Sequence, residues 1–215
     1  MYMPLRLSKW HSFILFLGVF CMIRWIGNGF LILGLSCLLY VGYLLLDFYY
    51  GSNYQIEATE DYLAKFGYSS TLNEKLLMKR TDFSTELGQT YGKIEIPSID
   101  LSMPIVHGSE LEHLRHGVGH DPTTGFPGDG EQVFLAGHND SAFLNVGNVL
   151  KGDVITVSTP YGQYDYKVDY AEIGHESETW RVGDKDKETL VLMTCYPFFS
   201  LTRPEERYFV YADPL

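Results

Sequence analysis

Between Trp25 and Leu46 the chain runs 22 residues without a charge. At about 1.5 Å per residue, a helix of that length covers roughly 33 Å, enough for a hydrocarbon core of ~30 Å. Asp47 closes the run, and Phe48, Tyr49 and Tyr50 supply the aromatic residues that favour a membrane interface. The run has no polar face, which argues against a helix buried in a soluble core. An earlier apolar stretch, 12–23, has 12 residues, too few to cross alone, and Arg24 separates it from the longer one. The pattern predicts one transmembrane helix over 25–46, with residues 1–24 cytoplasmic and the rest of the chain outside. A chain starting at Met22 would have a compact basic start before the same span. Residues 1–21 are then read as an artefact of start-codon choice. No A-x-A-like cleavage site follows the span, so it is expected to stay as an anchor.

Beyond the anchor the pattern changes twice. Residues 47–90 read as a stalk or linker, polar over 52–86, with two short helices expected over 57–66 and 73–80. From Tyr91 onward, short β-rich runs alternate with turn residues. Seven strands are expected: 91–96, 103–107, 132–138, 154–158, 164–173, 189–195 and 206–212. Pro97-Ser98, Pro127-Gly128-Asp129-Gly130, Lys151-Gly152-Asp153 and Tyr161-Gly162 punctuate them. Many short strands at such spacing predict an all-β barrel or sandwich over 91–215. Residues 109–115 and 141–150 read as short helical or irregular connectors.

Charge sharpens this division. The whole chain carries −11, yet the first 46 residues hold three basic residues (Arg6, Lys9, Arg24) and no acid, which leaves −14 on the rest. An acidic domain lacks the basic footprint of a nucleic-acid binder, so no nucleic-acid partner is expected. A hydrophobic content of 46% excludes a disordered chain.

Of three cysteines, Cys21 and Cys37 lie in the apolar leader, and only Cys195 lies in the outer domain. A lone thiol cannot form an internal disulfide. Cys195 ends an apolar strand, Leu190-Val191-Leu192-Met193-Thr194-Cys195, and Pro197 blocks simple continuation of the ladder. A rigid strand end with a loop beyond it suits a nucleophile, but a neutral thiol needs a nearby base or cation. His138 is the best base, because it ends a second apolar strand, and the small Ala136 and Gly137 before it permit close backbone approach. Arg207, at the start of the last strand, is the candidate cation, with Arg203 as the alternative. An arginine there could hold substrate and stabilise an oxyanion. His113, His116 and His120 have i, i+3, i+7 spacing, but Gly117 and Gly119 interrupt any helix and no Cys/Asp shell surrounds them. They are read as a solvated helical face and not as a metal site. A dense calcium-ligand pattern is missing from every loop, so no cofactor is assigned. A hydrolytic cysteine peptidase and a non-catalytic anchored module remain open on these residues alone.

An anchored outer domain with Ala136-Gly137-His138 at one strand end, Thr194-Cys195 at a second and Arg207 opening the next resembles the sortases. These are cysteine transpeptidases of Gram-positive bacteria. Tyr196-Pro197-Phe198, Gly117-Val118-Gly119-His120-Asp121-Pro122 and Gly137-His138-Asn139-Asp140 are most similar to class D, although Asn139 stands where that class often has Arg. The resemblance implies a closed eight-stranded β-barrel, with an eighth strand hidden near 99–102 or 118–121. It implies catalysis by Cys195, His138 and Arg207, with substrate contacts at Thr194, Ala136 and Gly137. It also implies cleavage of an LPxTG-like sorting signal after Thr, and transfer of the acyl group to an amine of the cell-wall precursor.

Overall fold

The computed structural model describes residues 8–65, 78–115, 117–183, 187–198, 200 and 204–215. Helix α1 spans Ser8–Lys65, 58 residues. It thus runs on past Leu46 and absorbs the first of the two expected stalk helices. No proline lies between Pro4 and Pro97, so no residue there is barred from helix by a missing N–H. The second expected helix falls mostly outside the described residues; Met78 and Lys79 are not helical, and Arg80–Asp82 form one 3-10 turn. The Arg24–Asp61 stretch of α1 is long and apolar enough to cross a membrane. Leu31, Leu38 and Leu45 stand exposed on it, an apolar surface suited to lipid.

The chain divides into two compact units at Asp47/Phe48. The second unit is a closed barrel of eight strands: β1 (Thr90–Ile96), β2 (Leu101–His107), β3 (Val118–His120), β4 (Gln132–Ala136), β5 (Val154–Thr159), β6 (Gly162–His175), β7 (Thr189–Tyr196) and β8 (Glu206–Pro214). They close in the order β1-β2-β3-β4-β7-β8-β6-β5. The hidden eighth strand is β3, pinned in parallel to β2 (Val106 opposite Gly119) and antiparallel to β4 (Gly119 opposite Ala136). The two connectors contain only short 3-10 turns, His113–Arg115 and Val146–Asn148.

Period-two alternation sorts each strand between two apolar clusters. Ile94, Ile105, Leu135, Leu190, Leu192 and Val210 fill the barrel interior. Phe134, Ala136, Val191 and Phe209, with Met193 against them, cover the outside of the β4–β7–β8 face. Residues before the barrel are tied to it. Leu63 is buried, Lys93 pairs with Glu60 at 2.8 Å, and the Arg80 guanidinium lies over Phe83, Phe126 and Tyr161 while pairing with Asp129 at 2.6 Å.

The histidine trio departs from the sequence expectation. His120 is fully buried at the end of β3, not on a solvated helical face, because Gly117 ends the turn and the chain enters the sheet at Val118. His113 is mostly covered, and His116 lies outside the described residues. The His120 ring sits within hydrogen-bond reach of the Tyr91 hydroxyl (3.0 Å), the Gly125 carbonyl (3.0 Å) and the Thr124 hydroxyl (3.2 Å). Burial pushes its pKa down from 6.5 to about 4; the Gly125 carbonyl and the Asp121 and Asp129 carboxylates oppose this, and His107 adds to it. The unfolded chain therefore binds the extra proton first as pH falls below about 6.5, so this group removes stability on acidification. The loss is complete near pH 4 and reaches about 3 kcal/mol. Urea unfolding followed by near-ultraviolet circular dichroism should show this slope in the wild type and a flatter one in His120→Gln. Equal slopes would exclude His120 as the source.

Candidate active site

Alternation along β7 sends Leu190 and Leu192 inward and Val191, Met193 and Cys195 outward. Along β8 it sends Val210 inward and Arg207 and Phe209 outward. The antiparallel register sets Cys195 directly opposite Arg207, so their Cβ atoms stand ~5 Å apart on one face. On the other side of β7 lies β4, parallel, with Ala136 opposite Met193. β4 ends at Ala136, and His138 follows two residues beyond it, as Cys195 follows Met193 along β7.

The small residues before His138 have specific work. A Cβ on Gly137 would meet the Phe143 ring at 2.6 Å, and Phe143 is fully buried. The Phe143 N–H donates to the His138 carbonyl at 2.8 Å, which folds the turn after the strand. The Gly137 N–H donates to the Met193 carbonyl at 3.0 Å, and the Thr194 hydroxyl donates to the Gly137 carbonyl at 2.7 Å. Thr194 is 1% exposed and faces the interior. In this structure Thr194 and Gly137 tie the two strand ends together, and Ala136 packs beneath the outer face beside Phe134. Asn139 adds a clasp, donating from Nδ2 to the Pro197 carbonyl at 3.2 Å. Phe198 is held against Gly147, where a Cβ would stand 2.5 Å from its ring, and packs on Tyr208. The loops that follow His138 and Cys195 are thus fastened to each other.

Arg207 is held by three oxygens. Nη1 donates to the Pro204 carbonyl (2.6 Å) and the Glu206 carbonyl (2.9 Å), and Nη2 to the Glu176 carboxylate (2.6 Å). The alternative cation, Arg203, lies outside the described residues. A groove of about 410 Å³ opens beside Arg207. Phe134, Met193 and Phe209 form its floor, and the β6–β7 connection (Glu176, Glu178, Thr179, Val182) forms one wall. That wall is joined to the β7–β8 connection by the Glu176 N–H to the Glu205 carbonyl at 2.7 Å. Among the described residues no cluster of His, Cys, Asp and Glu could hold a metal ion.

The sequence assigns no role to the groove floor or to Glu176, and it marks Asn139 only as a departure from class D. Parity could have found the floor, since Phe134 and Met193 share the outward phase of Ala136 and Cys195. Glu176 has no local signal, because its meeting with Arg207 depends on how the β6–β7 connection folds back.

A strand-end thiol directly opposite a guanidinium that lines a groove, with a histidine just past the end of the neighbouring strand, suits a thiol-dependent acyl-transfer enzyme. Residues 94–215 match the sortase domain family, so the chain belongs to the sortases, which are cysteine transpeptidases. It is 35% identical to Sortase D of Bacillus subtilis (strain 168) over 134 residues, covering 62% of this chain and 68% of that protein. It is 28% identical to Sortase A of Bacillus anthracis over 160 residues, 72% of this chain and 73% of that one. Among solved structures, a sortase D5 transpeptidase of Clostridium perfringens superposes with a TM-score of 0.62 at 25% identity, covering 76% of this chain and 99% of that one.

Proposed function

We propose that this sortase is a membrane-anchored transpeptidase, its barrel outside the cell, that cleaves an LPxTG-like sorting signal after Thr and joins the acyl group to an amine of the cell-wall precursor. The observation that carries the reading is the strand-end pair Cys195–Arg207, directly opposed in the β7–β8 ladder, with Arg207 lining the groove and His138 just past the end of the neighbouring strand β4.

In the first half-reaction Cys195 Sγ, its proton passed to His138, attacks the Thr carbonyl carbon. A C–S bond forms and the carbonyl π electrons move to oxygen. Arg207 donates hydrogen bonds to the substrate and to that developing oxyanion. The tetrahedral species collapses, the Thr–Gly C–N bond breaks, and His138 gives its proton to the leaving amine. In the second half-reaction the incoming amine attacks the thioester, His138 takes its proton, and a new amide forms as the thiolate departs. An anchor suits this role, because both substrates are concentrated at the membrane.

The test is a sorting-peptide library presented to the full-length chain in detergent micelles, read by mass spectrometry with and without added amines. The expected result is an acyl adduct on Cys195 that resolves into an amide when an amine is present. Release of free acid alone, unaffected by any amine, would make the protein a hydrolase instead.

A further inference from the structure

The groove wall is carried by a buried arginine. Arg181 closes the 3-10 turn Thr179–Arg181 inside the β6–β7 connection and is 9% exposed, while its neighbour Trp180 is 65% exposed. Its guanidinium runs under the wall to the sheet. Nε donates to Glu178 Oε2 at 2.6 Å, and Nη1 donates to the Tyr211 hydroxyl at 2.8 Å and to Glu172. The Phe209 ring lies 4.9 Å from the guanidinium carbon and the Trp180 ring 4.6 Å from it. Gly174 leaves the space, since a Cβ there would stand 3.0 Å from Arg181 Nε. The backbone is fastened as well: Gln132 Nε2 donates to the Arg181 carbonyl at 2.9 Å, and Gln132 Oε1 accepts the Gly183 N–H at 3.1 Å.

Every partner of this side chain belongs to the wall or to the sheet beneath it. Glu178 and the neighbouring Thr179 and Val182 line the groove wall, and Phe209 lines its floor. Glu172 and Tyr211 lie on β6 and β8. Desolvating a guanidinium is costly unless carboxylates and further acceptors replace its water, and here they do. The barrel's own ladders close without these contacts. What the network adds is a fixed distance between wall and floor.

We propose that Arg181 is a positioning residue for the peptide groove: it holds the β6–β7 wall in a preformed, peptide-accepting position and so governs binding of the sorting signal while leaving the chemistry at Cys195 untouched. This rests on the function proposed above. A fork reaching two carboxylates and a hydroxyl at once, between two aromatic faces, is a geometry lysine cannot reproduce. Arg181→Lys should therefore fail to rescue, and Arg181→Met, which keeps the packed stem, should behave like it.

The experiment has two readouts on the full-length chain in detergent micelles. Amide hydrogen exchange needs no substrate. In both variants, residues 176–183 should exchange at least about tenfold faster than in the wild type, with β4, β7 and β8 unchanged. Steady-state transpeptidation of the best library peptide should show KM raised about tenfold or more, kcat within about threefold, and Cys195 alkylation by iodoacetamide at the wild-type rate. Unchanged exchange in the wall, KM within twofold of wild type, or full rescue by lysine would each overturn the proposal. A kcat that falls with KM unchanged would overturn it too, since it would put Arg181 in the chemistry or in general stability. Failure of the wild type to form any acyl adduct would instead bring down the proposed function, and this inference with it.

Discussion

Replacing Cys195 by alanine is expected to abolish the acyl-enzyme. The adduct on the barrel should vanish from intact-mass spectra, and transpeptidation should fall below detection, a loss of about 10³-fold or more, because the thiol that carries the acyl group is gone. The fold should survive. Cys195 is only half-buried, and its backbone stays in the β7–β8 ladder, so stability should change by about 0.5 kcal/mol or less. An adduct that persists in Cys195→Ala, or turnover close to wild type, would remove Cys195 from the mechanism and with it the proposed reaction.

The strand-end placement behind this prediction was legible in the sequence because it depends on local grammar. An apolar run, a small or polar residue and a proline mark where β7 stops, and a similar run ending in Gly137 marks β4. Seven strands show the same signals and lie where the pattern puts them. The eighth, β3, is three residues long and flanked by glycines, so its own sequence barely distinguishes it from a turn; its pairing with β2 and β4 makes it a strand. The polarity after Asp47 marks the end of an apolar span but not of a helix, because charged residues are compatible with helix and α1 continues through Gly51 to Lys65. His120 shows the limit of spacing arguments. Three histidines at helical intervals mean little once Gly117 and Gly119 turn the chain into a sheet, and the buried ring then finds its partners on β1 and in the loop at Gly125. Glu176, Arg181 and Gln132 could not be foreseen, since each acts across 30 to 50 residues of chain through a connection whose path no local pattern specifies.

Arg207→Lys should be the second most damaging change, lowering kcat/KM about 10²- to 10³-fold, the range seen when a preorganised donor to an oxyanion is lost. The guanidinium is 11% exposed in its side chain and fastened by Pro204 and Glu206 carbonyls on Nη1 and by Glu176 on Nη2. Those contacts fix the plane of the fork, so its position relative to Cys195 is set before substrate arrives. A lysine ammonium has three donors on one rotating centre. It cannot keep the three oxygens that hold Arg207 and also face a carbonyl beside the thiol, so either its position or its contact with the developing charge is lost. The loss should appear in the acylation step, measured by quenched single turnover, with peptide binding little changed. Glu176→Gln tests the fastening alone: its amide oxygen still accepts from Nη2 and the two backbone carbonyls remain, so a drop of less than about tenfold is expected. If Arg207→Lys acylates within about threefold of wild type, positive charge alone is sufficient at that position, and the fork held by Glu176, Pro204 and Glu206 has no part in the transition state.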